Sequence, residues 1–206
     1  MFTEYEIDTM IEIPAVLEAT TALKKEFMKE EAPYLDITVN DFFSLVMMVP
    51  TVGIAKADGN VSLFEELALN KKARKLSKGG YFMKRDPVVY AMKFIINKYD
   101  VWHERFLNVL NVAMKSSFDF ESLADENYDN TNNIDYEDYK KKVLNTPYIV
   151  IRFITSFFLE NDEDILNKDH HIRQSEYVQM IKIGEILELN RLPVFNMFCN
   201  TFDQKA

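Results

Sequence analysis

The chain is poor in the residues that turn-rich and cross-linked folds depend on: its 206 residues include five glycines, six prolines and a single cysteine, Cys199. One thiol cannot close an internal disulfide, which fits a reducing compartment. So little glycine and proline argues against an all-β fold, and the periodic segments are dominated by Leu, Lys, Glu and Met, which favour helix. No apolar run reaches the roughly 18 residues that cross a bilayer. "FFSLVMMVPTVGIAKA" from Phe42 is interrupted by Pro50, and "YIVIRFITSFFLE" from Tyr148 carries Arg152 in its middle. Both are expected to be core helices, with no membrane span. A basic stripe is also missing: 24 Lys and Arg stand against 33 Asp and Glu, a net charge of −9 that repels a phosphate backbone, so nucleic acid is not an expected partner. The start "MFTEYEID" lacks the basic end and apolar run of a signal peptide, and a cytoplasmic location is expected. No G-x-S-x-G, P-loop or dinucleotide fingerprint occurs, so neither a catalytic set nor an organic cofactor is expected.

What is present is a 48% apolar composition, enough for a real core. The expected fold is all-α, with seven to eight helices in a single domain over residues 1–206. Its N-terminal half covers about 14–117, an acidic, Asn-rich linker 119–138, and a C-terminal half about 139–203. Pro14 opens a helix that runs to the Ala32-Pro33 break, and Thr38 with Asp41 caps the next, through Phe42 to about Ala57. Ser62 and Glu65 form an S-x-x-E capping box for a helix ending near Ser77. After Asp86-Pro87, apolar residues recur at three and four as far as about Lys115, the spacing of one long helical face. Further helices are expected from Pro147 to about Leu159, from about Arg173 to Leu189, and over a short stretch from Pro193 to Phe202.

The chain also echoes itself. "DGNVSLFE" at Asp58 and "DHHIRQSE" at Asp169 share an Asp, a β-branched aliphatic three residues on (Val61, Ile172) and a Glu seven on (Glu65, Glu176). Each precedes an apolar periodic helix. Two such helix-loop-helix units could pack about a pseudo-twofold, with both loops side by side.

The phrase "KADGNVSLFEE" resembles the A-D-G-x-[VI]-S-x-x-E signature of the tellurite-resistance TerB-like domains, a fold shared with the N-terminal part of certain membrane-anchored DnaJ co-chaperones. "DHHIRQSEYVQMIKIGEILEL" is similar to their second motif, with Ile183, Leu187 and Leu189 closing it; His170 stands in place of its glycine and Arg173 in the place of Ser62. The resemblance covers a little under half of the chain. It implies an all-helical bundle of two pseudo-repeated hairpins, acidic residues associated with a divalent metal, and a stress-associated binding or scaffold role.

Asp58, Asn60, Ser62 and Glu65 supply oxygens at loop positions suited to a hard cation, and Asp169 and Glu176 would complete the shell if the loops face each other. Calcium, manganese or zinc would be the candidates, with His170 or His171 favouring the latter two. The plainer account of the first loop is that Asp58-Gly59 makes a turn while Ser62 and Glu65 cap the following helix. A degraded EF-hand is a second cation candidate, with Asn127, Asp129, Thr131, Asn132, Asp135 and Asp138 at its ligand places. From these the expected function is a non-enzymatic TerB-like binding module with a protein partner, favoured to be basic because the chain is acidic. A calcium-responsive protein using the 127–138 loop, or a metal-dependent hydrolase, are the alternatives. His103 and Glu104, adjacent on a helix, point apart and read as ordinary surface. Ten methionines and sixteen phenylalanines furnish either core or an adaptable groove.

Overall fold

Helices begin where side chains can satisfy the orphan amides of a first turn. Ser62 and Glu65 form the expected reciprocal box, with the Ser62 amide donating to Glu65 Oε2 at 2.7 Å and the Glu65 amide to Ser62 Oγ at 3.3 Å. Thr38 accepts from the Asp41 amide at 3.0 Å, and Pro14 and Pro193 occupy first helical positions, where a missing N–H costs nothing.

The computed structural model describes residues 2–77, 87–125, 135–167 and 170–205. Among these it contains ten α-helices: α1 (Glu4–Ile11), α2 (Pro14–Glu30), α3 (Val39–Ala55), α4 (Leu63–Leu76), α5 (Pro87–Asn97), α6 (Tyr99–Ser117), α7 (Tyr136–Asn145), α8 (Tyr148–Phe158), α9 (Gln174–Ile186) and α10 (Pro193–Cys199). Short 3-10 turns cover Asp162–Leu166 and Leu189–Arg191, and two strands, β1 (His170–Arg173) and β2 (Phe202–Lys205), pair in parallel with His170 opposite Phe202. No helix among the described residues is long and apolar enough to cross a membrane.

The helical class is as expected, but ten helices replace seven or eight. The long helix from Pro87 is two, because Lys98 leaves the helical region (φ −115°, ψ 22°) and α6 restarts at Tyr99. α1 precedes the helix at Pro14, started by a second capping box between Thr3 and Glu6. α7 begins inside the stretch assigned to the linker, where Asp135 accepts from the Glu137 amide at 3.0 Å. The other end of that stretch is packed as well: Phe120 is buried, and the Asp125 amide donates to the Arg191 carbonyl at 2.9 Å. β1 lies directly before α9, where no strand was expected.

α3 is the hub. All ten residues from Asp41 to Pro50 are buried, so it is enclosed on every side, and α1, α2, α4, α5, α6, α8 and α9 all pack on it. That enclosure explains how α3 carries Pro50 in its interior: the lost backbone bond is offset by packing around the whole circumference. One core cluster runs from Phe2 to Cys199, drawing on both sequence halves. An aromatic group joins α2, α3 and α6, where Phe27 lies 5.7 Å from Phe42, 5.0 Å from Trp102 and 5.4 Å from Phe106, ring centre to ring centre. Trp102 Nε1 donates to Glu31 at 2.8 Å, giving the buried indole its partner. Cys199 is buried and its thiol pKa is pushed up by desolvation, so its apolar setting blunts its reactivity.

Candidate functional site

The α3–α4 loop turns at Gly59, whose φ of +99° is a conformation that L side chains rarely adopt. The turn brings Asp58 back toward the start of α4, and the Asn60 amide donates to Asp58 Oδ1 at 3.4 Å. Across from it, β1 runs into α9, where the Arg173 amide donates to Glu176 Oε2 at 2.9 Å. The Arg173 guanidinium closes the gap between the two segments: its Nη1 lies 2.7 Å from Asp58 Oδ2, and its Nη2 lies 3.2 Å from Glu176 Oε1 and 3.8 Å from Glu65 Oε1.

Three of the six expected ligands, Asp58, Glu65 and Glu176, therefore do meet. Asn60 is exposed, with its backbone engaged in the turn, and Ser62 Oγ donates to Glu65 Oε2 at 2.6 Å as part of the cap. Asp169 lies outside the described residues. Among the described residues no group of three or more His, Cys, Asp or Glu side chains could hold a metal ion. The donor set does not fit a divalent cation as it stands, since Glu65 Oε2 is committed to the cap, Asp58 Oδ1 and Glu176 Oε2 accept from backbone amides, and the remaining oxygens face a guanidinium. His170 turns away, its Nε2 donating to the Asp164 carbonyl at 2.9 Å and its ring stacked 4.8 Å from Phe202. Of the EF-hand-like loop, Asn127, Asp129, Thr131 and Asn132 lie outside the described residues; Asp135 caps α7, and Asp138 pairs with Lys141 at 3.2 Å.

Glu65 and Glu176 also close one end of a groove of about 670 Å³ between α4 and the C-terminal end of α8. Ala68, Phe158 and Phe202 supply its accessible apolar surface, over buried Leu69 and Phe157; Lys71 and Lys75 line it from α4, and Glu160 and Asp164 from the segment after α8. Lys72, one residue from Lys71, lines the groove as well and reaches the end of α8. Its Nζ donates to the Ser156 carbonyl at 2.7 Å, to Thr51 Oγ1 at 3.1 Å and to the Leu159 carbonyl at 3.5 Å. α8 has no basic residue in its own last turn, so Lys72 provides the cation at that helix end from another helix.

Desolvation pulls the Lys72 pKa from 10.5 down to about 8, against a weaker opposing pull from Glu160. Between those values the folded chain binds fewer protons at Lys72 than the unfolded chain, so the Lys72 contribution to stability rises with pH through that window. Melting native protein and Lys72→Met in parallel from pH 7 to pH 10.5 checks it. The native chain gains on the variant above about pH 8; a native chain that loses ground instead would mean that the carbonyls hold the ammonium more tightly than burial opposes it.

A second cavity of about 480 Å³ lies between α3, α6 and α9 and is lined by Tyr99, His103, Glu104 and Gln179. Burial pushes the Tyr99 phenol up to about 12; Gln179 Nε2 donates to its oxygen at 3.4 Å, and its ring stacks on His103 at 4.9 Å. His103 and Glu104, expected on plain surface, thus border a polar hollow.

No signal in the sequence distinguishes Lys72 from Lys71, since only tertiary structure decides which lysine meets the end of α8. Arg173 did carry a signal: a cation stands at the position where the motif calls for a serine. Comparison with protein-family models finds no match for this chain, and neither a curated protein nor a solved structure is significantly similar to it.

Proposed function

We propose that the chain is a non-enzymatic binding module of TerB-like architecture, built from two helix-loop-helix units, that receives a short segment of a protein partner in the groove between α4 and the end of α8. The observation that carries this reading is the groove itself: accessible apolar surface from Ala68, Phe158 and Phe202, bordered by Lys71 and Lys75 from α4 and by Glu160 and Asp164 from the segment after α8. A segment with apolar side chains downward, acidic groups toward α4 and basic groups toward Glu160 and Asp164 satisfies all three surfaces. Opposed charges of this kind act mainly on register and encounter rate. The meeting of the Asp58 and Glu176 segments at Arg173 supports the two-unit reading, and the stress-associated scaffold role that the resemblance implies goes with it.

The test is crosslinking in the native host from a photoreactive residue placed at Lys71 or Lys75, with Glu18 on the exposed side of α2 as control. A discrete protein adduct is expected from the groove positions and not from Glu18. Lys71→Glu with Lys75→Glu should weaken capture by about tenfold or more while leaving helix content unchanged, because like charges then face the partner's acidic side. Equal labelling from Glu18, or capture indifferent to the charge reversal, removes the groove from the reading.

A further inference from the structure

We propose that Arg173 is a built-in cation, a tethered guanidinium that holds the α3–α4 loop to the start of α9 where the resemblance implies a divalent ion, so that the chain's two signature segments are fastened without metal. Three carboxylates from three places in the chain converge on one side chain: Asp58 from the loop at 2.7 Å, Glu176 from α9 at 3.2 Å and Glu65 from α4 at 3.8 Å. Without a positive charge among them, these groups would repel one another and drive the loop away from α9. Arginine suits the position better than lysine, because its planar fork offers several donors in fixed directions and it stays charged at every working pH. Its own backbone amide is bonded to Glu176, so the side chain leaves the chain at a fixed point. A tethered cation differs from a bound ion in one functional respect: its occupancy depends on no ion concentration, and a chelator does not remove it.

The clasp also bears on the groove, since Glu65 and Glu176 border both. Fastening the loop to α9 sets the position of that end. Arg173 is half exposed, so the clasp is open to screening by salt.

The test compares native protein with Arg173→Ser and Arg173→Lys by thermal melting in low and high salt, with and without calcium, manganese or zinc chloride, together with calorimetric titration of each metal. The native melting temperature is expected to ignore each metal at about 1 mM, a concentration that fills even weak oxygen-ligand sites. Arg173→Ser should melt about 2–4 °C lower in dilute buffer, with the gap narrowing at about 0.5 M salt, and a divalent ion should recover part of the loss by screening the three carboxylates. Arg173→Lys, which keeps the charge and loses the fork, should fall between the two and serves if the serine variant does not fold. Stoichiometric uptake of any of the three metals by the native chain would overturn the proposal. So would an Arg173→Ser chain that melts like the native protein in dilute buffer.

Discussion

Phe106→Ala is expected to lower the stability of the folded chain by about 3–5 kcal/mol, the largest effect of any single substitution considered for this protein. Phe106 is fully buried on α6, and its ring lies 5.4 Å from Phe27 of α2 and 5.5 Å from Phe42 of α3. The substitution removes a ring from the point where three helices meet, and neighbours that are themselves rings cannot collapse into the space without breaking their own contacts. The lost burial and the residual void therefore add. Urea unfolding followed by emission from Trp102, 6.4 Å from Phe106, reads the change directly. The midpoint should fall while the slope stays constant, because the surface exposed on unfolding is nearly unchanged. A loss below about 1 kcal/mol would mean that α2, α3 and α6 do not meet at this residue.

Gly53→Ala is expected to destabilise by about 1–3 kcal/mol, although alanine is the better helix former by about 1 kcal/mol. The usual preference loses here to space. A Cβ at position 53 would collide with Tyr99 Oη and lie 2.9 Å from both Tyr99 Cζ and Ile183 Cδ1. The phenol hydroxyl sits where the methyl would go. Two further measurements isolate the cause. Adding Tyr99→Phe should recover part of the loss, since it removes the closest atom and leaves the ring. In the single variant the displaced phenol should titrate nearer its ordinary value of 10.0 than the native value of about 12, because burial is what raised it, and the ultraviolet absorbance of phenolate reports this. A Gly53→Ala chain more stable than native would place Tyr99 elsewhere.

The parts of this fold that were legible in the sequence are those written into local chemistry. Ser62 with Glu65 and Thr38 with Asp41 announce helices by the groups that cap them, and the apolar spacing after Pro87 finds the buried face of α6 at Trp102, Phe106, Val109, Leu110 and Ala113, while on α5 it finds Ile95 but not buried Val88, Ala91 and Met92. That same spacing is blind to the break at Lys98, because one residue off the helical path leaves the following apolar residues near their expected positions. α1 is eight residues long, too short for periodicity to register, so only its Thr3–Glu6 box marks it. β1 and β2 are four residues each, and each exists only because the other is beside it.

The site divides the same way. The echo between Asp58–Glu65 and Asp169–Glu176 anticipated that Asp58, Glu65 and Glu176 would share a neighbourhood, a relation carried by spacing alone. What occupies that neighbourhood depended on where a long side chain on β1 would reach, and only the packing of β1 against the α3–α4 loop determines that. Lys72 is the extreme case: its role as a remote cap depends on α8 ending beside α4, which no local pattern encodes.

The central position of α3 means that the chain cannot be bisected. A C-terminal fragment starting after residue 134 would keep α8 and α9 but lose the helix against which both are laid, leaving Phe153, Ile154, Met180 and Ile183 facing water. An N-terminal fragment would keep α3 with part of its circumference stripped bare. Neither piece carries a complete interior of its own, so the described residues form an undivided folding unit.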